Sequence, residues 1–74
     1  MSPGSALAVN AVMNYMIQNV PSIFNNFWIA DIYSKIVEVC RATGDASTDP
    51  ANVSMLTNKV LNKLYFSHKN GDAS

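Results

Sequence analysis

The chain has 74 residues, of which 49% are apolar and 14% charged, and its five basic and five acidic side chains give a formal net charge of zero. This length allows one domain, and the apolar fraction excludes a disordered chain. One cysteine and one histidine exclude an intramolecular disulfide and a four-ligand zinc site built from these residue types. A lone thiol is typical of a reducing compartment, so we expect a cytoplasmic, soluble protein without a cofactor.

Charge is distributed unevenly along the chain. Residues 1 to 30 carry no charged side chain, residues 31 to 49 hold four acids and two bases, and residues 50 to 70 hold three lysines and no acid. The whole chain therefore lacks the basic field that is typical of nucleic-acid-binding proteins, but its third segment has a local excess of positive charge.

Residues 1 to 5 predict a flexible leader, and a first helix is expected from about residue 6 until Pro21 ends it. Apolar residues recur there at spacings of three and four, which predicts one buried face. They are Val9, Val12, Met13, Met16, Ile17 and Val20. Uncharged amides form the opposite face, which suits either a solvated surface or an interface, and they interrupt what would otherwise resemble a membrane span. These amides belong to Asn10, Asn14 and Gln18.

The segment PSIFNNFW combines turn-forming residues with aromatic ones, and we expect Phe27 and Trp28 to point inward. A second helix should follow and end at Gly44. Its apolar positions are Ile29, Ile32, Tyr33, Ile36, Val37 and Cys40. Asp31 lies in its first turn, and Lys35 is expected to pair with Asp31 at a spacing of four.

A third helix is predicted to begin at Asp49-Pro50, because aspartate caps helix starts and proline is tolerated at the first helical position. One of its faces is apolar and should be buried. That stripe consists of Val53, Leu56, Val60, Leu61 and Leu64.

The other face of this helix is polar: one hydroxyl side chain and two amide side chains follow each other at intervals of four residues, and lysines lie beside them. An α-helix fits the major groove of DNA, where asparagine pairs with adenine and lysine with phosphate. The predicted DNA-binding residues are Ser54, Asn58, Lys59, Asn62, Lys63 and Lys69. A solvated outer face is the alternative interpretation of this pattern.

The order of a helix, a short aromatic segment, F-W-I-A-D-I-Y-S-K-I and N-V-S-M-L-T-N-K-V-L-N-K-L resembles the core of winged-helix or helix-turn-helix regulators of phage and bacterial type. The resemblance covers about residues 6 to 71. The helix pattern itself predicts a compact all-α domain of three helices over residues 6 to 66 and a polar tail over residues 67 to 74. The resemblance implies that this domain is of helix-turn-helix or abbreviated winged-helix type and regulates transcription through double-stranded DNA. In that family the third helix enters the major groove, which puts the predicted DNA-binding residues of that helix at the DNA and Leu56, Val60 and Leu64 in the core.

The chain departs from that family in two places. The connection from Gly44 to Pro50 is longer than the strict motif's turn, and Asn70-Gly71 offers either a hairpin tip or a fraying helix end, so a wing is not predicted.

Catalysis is not expected, because the only histidine lies in the polar tail and Cys40 lies on an apolar stripe. The competing function is a small helical protein-interaction module or inhibitor, for example phage-encoded, that acts through uncharged helix surfaces. A homodimer joined along the first helix is compatible with both functions. Neither a membrane nor a small-molecule substrate is expected as a partner.

Overall fold

A computed structural model describes residues 3 to 44 and 47 to 69, and four helices account for most of them. Helix α1 spans Pro3–Asn19, α2 spans Ile23–Asn26, α3 spans Ile29–Thr43 and α4 spans Pro50–Lys69. No strand occurs in this part of the chain, so the all-α prediction is confirmed, while the short α2 stands where the sequence predicted a turn. Each of the three longer helices contacts the other two, and the core lies between them.

Two helix boundaries differ from the predicted ones. Helix α1 begins at Pro3, inside the predicted leader, because proline suits a first helical position whose N–H would have no partner within the helix. Helix α4 continues to Lys69, three positions beyond the predicted boundary at residue 66. The proposed hairpin tip at Asn70-Gly71 lies outside the described residues.

The predicted apolar stripes supply most of the core. Its buried apolar side chains are Ala8, Val9, Val12, Met16, Ile23, Phe27, Ile32, Ile36, Val39, Cys40, Val53, Leu56, Val60 and Leu64. Thr57 is also buried, and its hydroxyl donates a hydrogen bond to the carbonyl oxygen of Val53 at 2.8 Å, so this polar group is satisfied inside the helix. The burial of Ala8, Val39 and Thr57 was not predicted, because Ala8 is small, Thr57 is polar and Val39 lies beside the expected stripe.

Four apolar side chains that were predicted to point inward are exposed instead. Trp28 is 82% exposed, Ile29 66%, Ile17 52% and Tyr33 48%. Trp28 precedes α3 with an extended backbone (φ −66°, ψ 142°), so the helical period does not direct its side chain. Ile17 and Tyr33 each follow a fully buried residue, and one step along a helix turns a side chain about 100° away from the core.

The connection between α3 and α4 has the predicted ends. Gly44 ends α3 with a left-handed backbone (φ 65°), which glycine adopts without steric cost. At the start of α4 the Oδ2 atom of Asp49 accepts a hydrogen bond from the N–H of Ala51 at 3.2 Å. The Asn52 side-chain amide also donates to the carbonyl oxygen of Ser47 at 2.8 Å. These bonds fix the entry of the chain into α4.

Candidate nucleic-acid interface

Helix α4 carries the predicted DNA-binding residues, and most of them face solvent. Asn58, Lys59, Asn62 and Lys63 are exposed, whereas Ser54 is half-buried. Lys69 is the last residue of α4, and its side chain lies outside the part that the structure describes. From Ser54 to Lys63 the helix rises about 13 Å, a length that matches about four base pairs of DNA.

The core fixes which face of α4 is outermost. Val53, Leu56, Val60 and Leu64 are at most 5% exposed and pack toward α1 and α3. Fully burying a side chain of this size stabilises the fold by about 1.5–3 kcal/mol, so rotation of α4 about its own axis would cost several such contributions. The polar face is therefore presented by a rigid element.

Lys59, Asn62 and Lys63 line a surface groove between α3 and α4. The groove's other residues, Val39, Ala42 and Thr43, belong to α3 and give it an apolar wall with one hydroxyl. The Thr43 hydroxyl donates to the carbonyl oxygens of its own helix, each at 3.2 Å, so it is already bonded. The fold thus brings together three of the six predicted residues in one groove, which Ser54 and Asn58 do not line.

The ammonium group of Lys63 is held by an acid from the neighbouring helix. Lys63 Nζ donates to Glu38 Oε1 at 2.9 Å, and Lys35 Nζ lies 3.8 Å from Glu38 Oε2. The hydrogen bond from Lys63 lowers the pKa of the Glu38 carboxyl, which therefore stays ionised at neutral pH. The predicted pair between Asp31 and Lys35 is wrong, because Lys35 faces Glu38 at a spacing of three instead.

Further exposed residues on the same face of α4 were not predicted, namely Ala51 and Met55 near its start and Tyr65 and Phe66 near its end. Ala51 and Met55 are exposed and lie seven and three positions before Asn58, which places all three on one side of the helix. Apolar side chains in the major groove contact the methyl group of thymine. The helical spacing was the signal that could have identified them. The exposed carboxylate of Asp49 also lies at this end of α4, where it would repel a nearby phosphate.

Other chemistry has little support among the described residues. Cys40 is fully buried, and its burial raises the pKa of the thiol, so the reactive thiolate is disfavoured. No group of three or more histidine, cysteine, aspartate or glutamate residues lies close enough to hold a metal ion in residues 3–44 and 47–69. None of the helices in these ranges combines the length and the apolar character that crossing a membrane requires. The side chain of His68 lies outside the described part.

Comparisons of this chain with protein-family models, with curated proteins and with solved structures found no match. A function for the chain therefore has to be inferred from its own surface residues.

Proposed function

We propose that this chain is a small transcriptional regulator that binds double-stranded DNA by placing the exposed face of α4 in the major groove. The observation that carries the proposal is the composition of α4, whose 20 residues include three lysines and no acid. A helix with its side chains is about 10–12 Å across, and the major groove is about 12 Å wide. The buried residues behind α4 fix the direction of its polar face.

Asn58 and Asn62 are the base-reading residues in this proposal. An asparagine amide accepts a hydrogen bond from adenine N6 and donates one to adenine N7, so each asparagine selects an A·T pair. Four residues of helix rise about 6 Å, which is close to two base-pair steps of about 3.4 Å each. The two amides therefore match adenines that lie two base pairs apart, with Ala51 and Met55 near thymine methyl groups.

Phosphate binding depends mainly on Lys59. Among the described residues Lys59 makes no ion pair, whereas Lys63 has to exchange Glu38 for a phosphate oxygen. That exchange replaces one charge-assisted hydrogen bond by another and so contributes less than a new contact. Ser54 lies one turn before Asn58, where its hydroxyl can donate to a base or a phosphate.

A selection from duplexes with a randomised centre tests the proposal. We expect bound duplexes to be enriched in two adenines separated by one base pair, and Asn62→Ala should weaken binding to such a duplex about 5- to 160-fold, since a bidentate pair contributes about 1–3 kcal/mol of discrimination. The matched control is Asn14→Ala, which removes an exposed amide from α1 and should leave binding unchanged. Equal loss in both variants, or no enrichment, would contradict base reading by α4.

A second candidate function is binding to another protein through α1. Its supporting observation is an exposed face without charge, on which Asn10, Asn14 and Gln18 accompany the apolar residues Leu7 and Ile17. Charged residues are depleted in the centres of protein interfaces. Binding of this kind would be insensitive to Lys59→Gln and to salt, and it would be weakened by Asn14→Lys.

A further inference from the structure

The groove between α3 and α4 is large enough for a small molecule and is called here the α3–α4 groove. It offers a volume of about 420 Å³, within the range of about 300–1,000 Å³ that ligand sites in proteins occupy. Its two walls differ in chemistry, since the α3 wall is mainly apolar and the α4 wall is polar. The α3 wall consists of Val39, Ala42 and Thr43, and the α4 wall of Lys59, Asn62 and Lys63.

The α3 wall offers a ligand apolar contact and no free donor. Val39 and Ala42 are three residues apart and so are neighbours on the helix surface. Val39 is buried and lies at the floor of the groove, whereas Ala42 is exposed. The Thr43 hydroxyl already donates to the carbonyl oxygens of Val39 and Cys40. A ligand would therefore pack an apolar body on this wall and turn its polar group toward α4.

The α4 wall offers two donors that the fold leaves unused. Among the described residues the Lys59 ammonium makes no ion pair, and the Asn62 side chain makes no hydrogen bond. Lys59 and Asn62 are three residues apart, so their side chains are neighbours on the helix surface. A carboxylate has two oxygens that only accept hydrogen bonds, and it can accept one from the ammonium and one from the amide.

The charge around the groove favours an anion. A neighbouring depression shares Asn62 and Lys63 with the α3–α4 groove and adds Lys35 and Glu38. Three lysines and one glutamate therefore line the two depressions, which is an excess of two positive charges. The last turn of α3 opposes this excess with only about half a negative charge. Because Lys59 alone of the three lysines has no ion pair among the described residues, the groove fits a single negative charge.

We infer that the α3–α4 groove binds a small carboxylic acid with a short aliphatic body, in its ionised form. The carboxylate accepts hydrogen bonds from the Lys59 ammonium and the Asn62 amide, and the aliphatic body packs on Val39 and Ala42. The apolar contact and the charge-assisted bond are both weakened by exposure to solvent. A dissociation constant on the order of 1 mM fits a ligand of about eight non-hydrogen atoms at such a site.

The same ligand would regulate DNA binding, a consequence that rests on the proposed function. That function assigns Lys59 to a phosphate and Asn62 to an adenine. Neither side chain can serve a carboxylate and DNA at the same time, so the acid should release DNA from α4.

Titration of the isotope-labelled full chain with sodium hexanoate, followed by the NMR shifts of backbone amides, tests the site without DNA. Saturable shifts should concentrate in residues 39–43 and 59–63. Acetate has the same carboxylate without the aliphatic body, and hexanamide has the same body without the charge, so both should bind more weakly by about fivefold or more. Shifts that are largest in α1, no saturation up to ~20 mM, or equal binding of hexanamide would overturn the inference.

Two matched pairs of variants locate the carboxylate and the aliphatic body. Lys59→Gln should weaken hexanoate binding by about fivefold or more, whereas Lys35→Gln removes the same charge from the neighbouring depression and should change it by less than about twofold. Ala42→Glu puts a like charge into the groove and should abolish binding, whereas Ala30→Glu makes the same change at another exposed position of α3 and should not. Equal effects within either pair would overturn the inference.

Anisotropy with a labelled duplex separates this inference from the proposed function. Hexanoate at several times its dissociation constant should release the duplex from the wild-type chain, and acetate at the same concentration, which matches the ionic strength, should not. A chain that binds hexanoate in the NMR titration but binds no duplex would contradict the proposed function alone. A chain that keeps the duplex while hexanoate fills the groove would overturn the inferred competition.

Discussion

Helix α4 and the start of α3 both carry large apolar residues, but those of the α4 stripe are buried and those at the start of α3 are exposed. In α4 the predicted stripe is buried, and Val53, Leu56, Val60 and Leu64 are at most 5% exposed. At the start of α3, Trp28 and Ile29 point into solvent although their residue types would suit a core. Helical spacing directs a side chain only where the helix has formed and a neighbouring helix faces it. Apolar character alone therefore does not identify the core of a chain this small.

The largest expected difference between the two regions is the loss of stability when one apolar side chain in each is truncated to alanine. Leu56→Ala removes a side chain that is fully buried, and we expect the free energy of unfolding to fall by about 2–5 kcal/mol. Ile29→Ala removes one that is 66% exposed, and the loss should stay below about 1 kcal/mol. Urea titrations followed by circular dichroism measure both. Similar losses for the two variants would mean that the start of α3 is covered within the monomer.

A smaller effect is expected at the start of α4, where Asp49 accepts the hydrogen bond from the Ala51 N–H. Asp49→Ala should lower the free energy of unfolding by about 1 kcal/mol, because the cap is lost. Asp49→Asn keeps an acceptor oxygen and should cost little, while it removes the carboxylate that lies at the DNA-facing end of the helix. DNA affinity should therefore rise in Asp49→Asn. An unchanged affinity would show that this end of α4 does not approach phosphate.

The smallest effect on stability concerns the pair of Glu38 and Lys63. The hydrogen bond from Lys63 lowers the pKa of the Glu38 carboxyl from its usual value, so the pair stabilises the fold at neutral pH and this contribution is lost as the pH falls through the lowered pKa. Both side chains are almost half exposed, so solvent screening keeps the effect below about 0.5 kcal/mol. Glu38→Gln should thus change the unfolding midpoint little at pH 7, and wild type and variant should converge as the pH falls through the lowered pKa of Glu38. A large loss at pH 7 would contradict this account.

The same substitution should have a larger effect on DNA binding than on folding. Glu38→Gln frees the Lys63 ammonium and removes a negative charge beside the groove, so affinity for duplex DNA is expected to increase at low salt. Fluorescence anisotropy with a labelled duplex measures it. A decrease would show that Glu38 positions Lys63 for binding rather than competing with phosphate.

Most of the helical architecture could be predicted from the sequence because its signals are local. The spacing of apolar residues, the glycine at residue 44 and the cap at Asp49 each act within a few residues, and the structure has the corresponding helices and ends. The outward direction of Trp28 was not predictable in this way, because Trp28 precedes α3 with an extended backbone and the helical period does not direct its side chain.

The sequence could predict which residues of α4 are exposed in the candidate site, but not which of them pair with residues of other helices. The exposure of Asn58, Lys59 and Asn62 followed from the opposite, apolar stripe of the same helix. The ion pair between Lys63 and Glu38 joins residues that are 25 positions apart, so sequence spacing could not predict it. The nearest local alternative, the pair of Asp31 and Lys35, was chosen instead and is wrong. Contacts between helices thus decide which lysines remain available for a partner.

The most direct test of DNA binding by α4 is a salt series of anisotropy measurements that compares the wild-type chain with Lys59→Gln and with Lys35→Gln. The two variants lose the same charge, but Lys59 lies on α4 without an ion pair among the described residues and Lys35 lies near Glu38 on α3. We expect log affinity to fall with log salt by about 0.9 for each lysine of α4 that meets a phosphate, and Lys59→Gln to reduce the slope by about 0.9 while Lys35→Gln leaves it unchanged. Binding that is absent at low salt, or equally affected by both variants, would contradict the proposal.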